Sequence, residues 1–207
     1  MELPFAGFAR LHEFLKKLEK DTYPELPTQL HTEITSQQLD SLLAKYPLPP
    51  GAAILDVGCG QGPALDIFRE RGYRPTGISL NDDDVAACRN KGHQVAKMDQ
   101  SFLDYPPETF DLIWARHVIE HSIFPHFTLA EFSRVLKMGG IVYLEVPAPE
   151  TACHHENNQN HYSVLNRGMW VSLLSRSGFQ LLEQVNFNFT TGLGPDEYWG
   201  FVCRKQD

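Results

Sequence analysis

At 207 residues, with 42% hydrophobic and 21% charged residues, the chain suits one well-buried domain with a modest extension and has an ordinary globular composition. Its formal net charge is -8, and its basic residues are scattered as singles and pairs such as Lys16-Lys17 and Arg204-Lys205, which argues against a nucleic-acid partner. No apolar stretch is long enough to span a bilayer, Glu2 and Pro4 stand where a secretory leader would be basic then apolar, and Cys59, Cys88, Cys153 and Cys203 form no C-x-x-C pair. A membrane partner is therefore not expected, and free thiols in a reducing cytoplasm are.

Residues 1–50 form an N-terminal helical extension. Phe5, Phe8, Leu11, Phe14, Leu15 and Leu18 recur at helical spacing, and Pro24 and Pro27 break that helix. Thr35-Ser36 offers the cap of a second helix with Leu39, Leu42, Leu43 and Tyr46 on its apolar face, ended by Pro47, Pro49, Pro50 and Gly51. The extension either packs on the domain edge or covers a bound substrate, and the plain packing role is favoured.

Strand and helix then alternate over residues 51–207. Strands are expected at Ile54–Val57, Pro75–Leu80, Gln94–Met98, Phe110–Ala115 and Ile141–Val146. Helices are expected at Pro63–Arg71, Asp82–Lys91 and Phe127–Leu136, the last closed by a left-handed glycine stop at Gly139-Gly140. The alternation predicts a doubly wound, mostly parallel α/β sheet whose C-terminal strand ends share one edge. A helix at Arg167–Arg176 follows, then strands at Phe179–Phe187 and Tyr198–Arg204 joined through Gly192, Gly194 and Pro195, a link short enough for an antiparallel hairpin.

Ile54-Leu55-Asp56-Val57-Gly58-Cys59-Gly60-Gln61-Gly62 is a buried strand ending on an acid and a glycine loop. Glycine has no Cβ, so a ligand can lie against such a backbone. The spacing is Gly-x-Gly-x-Gly, and the third glycine of a dinucleotide loop is missing, with Ala64 one residue past Pro63. A ligand with an adenosyl end that need not be a dinucleotide is implied.

This run resembles the first motif of the class I methyltransferases that use S-adenosylmethionine. Phe110–Ala115, and the stretch with Arg134, Val135, Leu136, Gly139 and Gly140 before the fifth strand, resemble that family's fourth strand and following turn; Asp111 and Arg134 read as structural. The resemblance implies a Rossmann-like fold, S-adenosylmethionine as cofactor, and a site made of Asp56, Gly58, Cys59, Gly60, Gln61, Ser79, Leu80, Asp99, Gln100 and Arg116. The loop would hold the methionyl part and Asp99 the adenine amino group. Ser79 stands where the family carries the acid that grips both ribose hydroxyls, so the ribose contact departs from the pattern, with Asn81 or Asp82 in reach to assist.

Catalytic candidates lie past strands four and five. His117 and His121 are four residues apart and would share a face of a helix, with Glu120 beside them to orient an imidazole. The alternative is that these groups only shape the pocket wall. A zinc pair is disfavoured because Glu120 falls outside the H-E-x-x-H arrangement, and no metal is expected. The polar run Glu150–His161, with His155 as a further base candidate, suits a hydroxylated, sugar-like acceptor or a merely solvated loop. The expected activity is methyl transfer to an oxygen or nitrogen of a small polar metabolite. The alternatives carried are a non-catalytic cofactor-binding subunit, a methyltransferase acting on protein or RNA, and a nucleotide-dependent oxidoreductase. Homo-oligomerisation stays open.

Overall fold

The computed structural model describes residues 5–18 and 26–206. Pro24, one of the two expected helix breakers, lies outside them. In chain order the elements are α1 (Phe5–Leu18), α2 (Gln29–Lys45), β1 (Ala53–Val57), α3 (Pro63–Glu70), β2 (Arg74–Ser79), α4 (Asp82–Asn90), β3 (Gln94–Lys97), β4 (Phe110–Arg116), α5 (Pro125–Val135), β5 (Leu136–Pro147), α6 (Arg167–Arg176), β6 (Phe179–Thr191) and β7 (Gly194–Lys205). Short 3-10 turns add Ile119–His121 and His155–Asn157.

The strands form one seven-stranded sheet in the order β3-β2-β1-β4-β5-β7-β6. The first five are parallel, and β7 runs antiparallel between β5 and β6. The expected mostly parallel sheet with an antiparallel C-terminal hairpin is therefore the fold. Winding reverses between β1 and β4, and ligands of such sheets sit outside the strand ends at that reversal.

Local sequence explains most element ends. Asn81 caps α4 by accepting from the amides of Asp83 and Asp84, and three aspartates fill the first turn, complementing the helix dipole. Asn166 caps α6 in the same way. Two expectations are corrected. The cap of α2 is Thr28, whose hydroxyl accepts from the His31 amide at 3.1 Å, while Thr35 sits mid-helix and bonds back to the His31 carbonyl. And α5 needs no glycine stop: Leu136 is already extended (ψ 137), so Gly139-Gly140 lies within β5, where the register with β4 shifts.

Central strands bury both faces, as parallel strands do. Leu55 and Val57 pack with Ile113, Phe132, Val142 and Trp170, while Ile54 packs on the other side with Leu39, Phe68, Trp114 and Tyr143. Trp114 and Tyr143 stack at 4.3 Å. Asp111 and Arg134 act structurally. Asp111 accepts from the Ala53 amide and Lys137, and Arg134 grips Glu131 and the carbonyls of Leu103 and Tyr105. No helix among the described residues is long and apolar enough to cross a membrane.

Candidate active site

The turns leaving β1, β2, β3 and β4 converge on one solvent-open cavity of about 200 Å³ at the C-terminal edge of the sheet. Gly58 and Gly60 come from the loop after β1, Ser79 and Leu80 from the end of β2, and Asp99 and Gln100 from the turn after β3. His117 and His121 follow β4, Asn160 and Tyr162 come from the loop after β5, and Leu15 and Leu18 reach in from α1. Because the strand order is β3-β2-β1-β4-β5, Asp99 and Ser79 stand at one end and the histidines and Asn160 at the other.

Backbone conformation shapes the glycine loop. Gly58 (φ +68) and Gly60 (φ +49) are both left-handed, and a Cβ at Gly58 would come within 2.6 Å of the Val118 side chain. The loop thus brings the cavity wall against bare backbone.

The polar groups suit a cationic ligand rich in donors, as S-adenosylmethionine is. Gln100 donates to the Val118 carbonyl at 2.7 Å, and its buried Oε1 has no hydrogen-bond partner among the described residues. Asp56 Oδ2, at the end of β1, is likewise buried and unpartnered, and burial pushes its carboxyl well above the ordinary range. The Gln100 oxygen needs a donor that the described residues do not supply. Asp99 accepts from the Ser101 amide through Oδ1 and stands on the cavity wall. The Ser79 hydroxyl accepts from the Asn81 amide at 3.1 Å, so this residue fixes the turn into α4 as well as facing the cavity.

Several expected site residues stand elsewhere. Asp56, Cys59, Gln61, Arg116 and His155 do not line the cavity. Cys59 is buried with Cys88, and both thiols point to the Gly60 carbonyl, at 3.6 and 3.2 Å. Arg116 is the centre of a buried network. It makes a two-pronged pair with Glu145 on β5, at 2.8 and 3.1 Å, and donates to Thr35 of α2 at 2.6 Å. Tyr143 also donates to Glu145, at 2.8 Å.

The two histidines after β4 do not share a helix. His117 takes a left-handed conformation (φ 52) that turns the chain at the strand end, and only Ile119–His121 winds into a 3-10 turn. The partner of His117 is Glu145, 2.7 Å from its Nε2, where Glu120 had been expected. Burial alone would raise the Glu145 carboxyl, but the His117 hydrogen bond and the Arg116 charge outweigh it and hold the group far below the usual range. The ring of His117 also meets the Tyr198 ring edge-on at 4.5 Å.

Loop 150–161 folds back through His155, whose Nε2 lies 3.0 Å from both oxygens of Asp196 on β7. His161 and His121 meet edge-on at 4.8 Å. Burial and the neighbouring imidazoles of His121 and His155 push His161 down to about 4. Glu145, Tyr198 and Asp196 stand next to His117 or His155, and Tyr143 next to Glu145, none with a role assigned from the sequence, and His161 entered only as the end of the polar run. One signal was available for Glu145: a lone acid in the apolar run Ile141–Val146 is a buried charge that needs a partner.

A family profile described as "Methyltransferase domain" matches residues 29–191. Among curated proteins, the chain is 29% identical over 130 residues to 27-O-demethylrifamycin SV methyltransferase of Amycolatopsis mediterranei, covering 56% of this chain and 48% of that protein. It is 31% identical over 211 residues to the S-adenosyl-L-methionine-dependent Diels-Alderase iliD of Neonectria sp., covering 90% and 80%. The chain thus spans about half of the first relative and most of the second. Among solved structures, the [4+2]-cyclase SpnF superposes with a TM-score of 0.72 at 19% identity, covering 97% of this chain and 95% of that one, a likeness of fold.

Proposed function

This chain belongs to the class I methyltransferase family and takes S-adenosylmethionine as its cofactor, and from that premise we propose that it methylates an oxygen or nitrogen of a small hydroxylated molecule held at the β4–β5 end of the cavity. The observation that carries this reading is the paired His117 and Glu145 beside a cavity whose other end offers the glycine loop, Asp99 and Gln100. When bound, the cofactor supplies an activated methyl on a sulfonium, so the protein has only to align the acceptor and take its proton.

In this reading Gly58, Gly60, Asp99 and Gln100 hold the cofactor, Gln100 Oε1 gaining the donor it lacks. Glu145 accepts the Nε2 proton of His117, which fixes the neutral tautomer with its lone pair on Nδ1. The residues of this chain would hold the acceptor oxygen in line with the methyl of the bound cofactor, which would keep the carbon–sulfur electron pair as the methyl passes to that oxygen. The acceptor proton passes to His117 Nδ1, and the buried Glu145 carboxylate steadies the imidazolium, as in other carboxylate–histidine pairs. Leu15 and Leu18 make α1 a cover over the same cavity, with residues 51–207 as the catalytic domain.

The test is to incubate the protein with methyl-labelled S-adenosylmethionine and hydroxylated metabolites, following label transfer and S-adenosylhomocysteine. Labelled product that disappears in His117→Ala is the expected result. Cofactor binding without any consumption of the cofactor would refute methyl transfer. That same outcome would favour a second reading, suggested by the coverage of the Diels-Alderase relative: a cyclase in which the cofactor is structural.

A further inference from the structure

Behind the cavity wall, at His121, lies a group that the methyl-transfer reading does not use. Glu120, His121 and His161 each bring one ligand atom within 4.8 Å of the others. Glu120 is buried, 1% exposed, and its Oε2 has no hydrogen-bond partner among the described residues. An unpaired buried carboxylate is costly and calls for a cation.

The two imidazoles are set up to supply lone pairs. His121 Nδ1 lies 2.8 Å from the Asn160 carbonyl, and His161 Nδ1 lies 3.0 Å from the His155 carbonyl. A carbonyl only accepts, so each Nδ1 carries the proton and each neutral ring keeps its lone pair on Nε2. Histidines that ligate metals are held in this way, with one ring nitrogen donating to a backbone carbonyl and the other left for the ion.

We propose that Glu120, His121 and His161 form a divalent transition-metal site, two imidazoles and one carboxylate, with its open position facing the cavity that His121 lines. Nitrogen and carboxylate ligands in a three-residue set suit zinc with a fourth, exchangeable position. A shell of 2.0–2.1 Å spaces such ligands about 3.3 Å apart, so side-chain rotations of roughly an ångström close the site. His161 comes from the loop after β5 and the other two from the turn after β4. The spacing His117-x-x-x-His121 therefore gave no hint of the set, because its first histidine pairs with Glu145 instead.

The role of the metal rests on the methyl-transfer reading: an acceptor hydroxyl in the open position would lose its proton to His117 more readily. The presence of the metal does not rest on it. The probe is Zn²⁺ or Co²⁺ titrated by calorimetry and absorbance into the metal-stripped full chain without cofactor. One ion per chain, a raised Tm and a cobalt spectrum without a sulfur-to-metal charge-transfer band are expected. Glu120→Gln and His161→Ala should each weaken binding by roughly 100-fold, with His161→Gln replacing the alanine variant if that does not fold. Cys153→Ser should bind like the wild type, which separates this site from the neighbouring Cys153, His155 and Asp196 group. No binding at millimolar metal, wild-type affinity in both ligand variants, or binding lost in Cys153→Ser would overturn the site. Metal binding without methyl transfer would overturn the functional reading and leave the site standing.

Discussion

Glu145→Gln separates the chemistry of this site from its architecture. Glutamine keeps the volume and, with its oxygen in the Oε2 position, still accepts from Tyr143 and Arg116 Nε. But its NH2 group replaces the oxygen that receives Arg116 Nη2, and it removes the negative charge facing an Arg116 side chain that is only 7% exposed. Breaking a buried ion pair from one side costs about 3–5 kcal/mol. The two hydrogen bonds kept at Oε2 offset part of the loss, and about 4 kcal/mol in a chain of this size is roughly 8–16 °C of Tm. At the reaction centre the amide offers an N–H to His117 Nε2, which then has to accept. The ring proton moves to Nδ1 and the lone pair facing the acceptor is lost. Turnover should fall by about 10²–10⁴-fold, while cofactor affinity by calorimetry stays near wild type, since Glu145 does not line the cavity. The pH dependence provides a second readout. Glu145 is lowered in the folded state, so its contribution is present above the unfolded carboxylate pKa and is lost as pH falls toward the folded one. The wild type should therefore lose Tm below about pH 5 more steeply than the variant. Normal turnover in Glu145→Gln, with unchanged cofactor affinity, would remove the pair from the mechanism.

Other substitutions test the remaining parts. Gly60→Val places a branched side chain at φ +49 on the cavity wall and should weaken cofactor binding by about 100-fold with the fold retained by circular dichroism; unchanged affinity would contradict the loop assignment. Arg134→Met frees the Leu103 and Tyr105 carbonyls and should cost about 2 kcal/mol in urea unfolding, whereas a neutral effect would mean that this clamp between α5 and the β3–β4 connection contributes nothing. Leu18→Asp should raise the KM for the acceptor with Tm unchanged if α1 covers the cavity, and an unaltered KM would leave the helix without that role.

The parallel half of the sheet was legible because apolar runs of four to eight residues, each followed by turn residues, repeat from Ile54 to Val146. The glycine loop, Ser79 and Asp99 were legible because each follows a strand at a fixed offset. Features set by distant contacts were not. The partner of His117 lies on the next strand, beyond any local pattern. The cap of α2 was misplaced because Thr35 looks like a cap residue, while its hydroxyl bonds back along the helix and receives Arg116. The Gly139-Gly140 pair resembled a helix stop, yet the pairing with β4 had already drawn Leu136 into the strand. Within Glu150–His161, nothing local indicates that His155 meets Asp196, or that the Asn160 carbonyl receives the ring of His121.

Tyr198 and Asp196 sit on the antiparallel hairpin, which contributes no residue to the cavity wall. The glycine loop and the strands that support His117 and His155 from behind therefore lie in separate stretches of chain. Exchanges near the exposed turn at Leu193 leave the glycine loop unaltered, because the two meet nowhere in the sheet order.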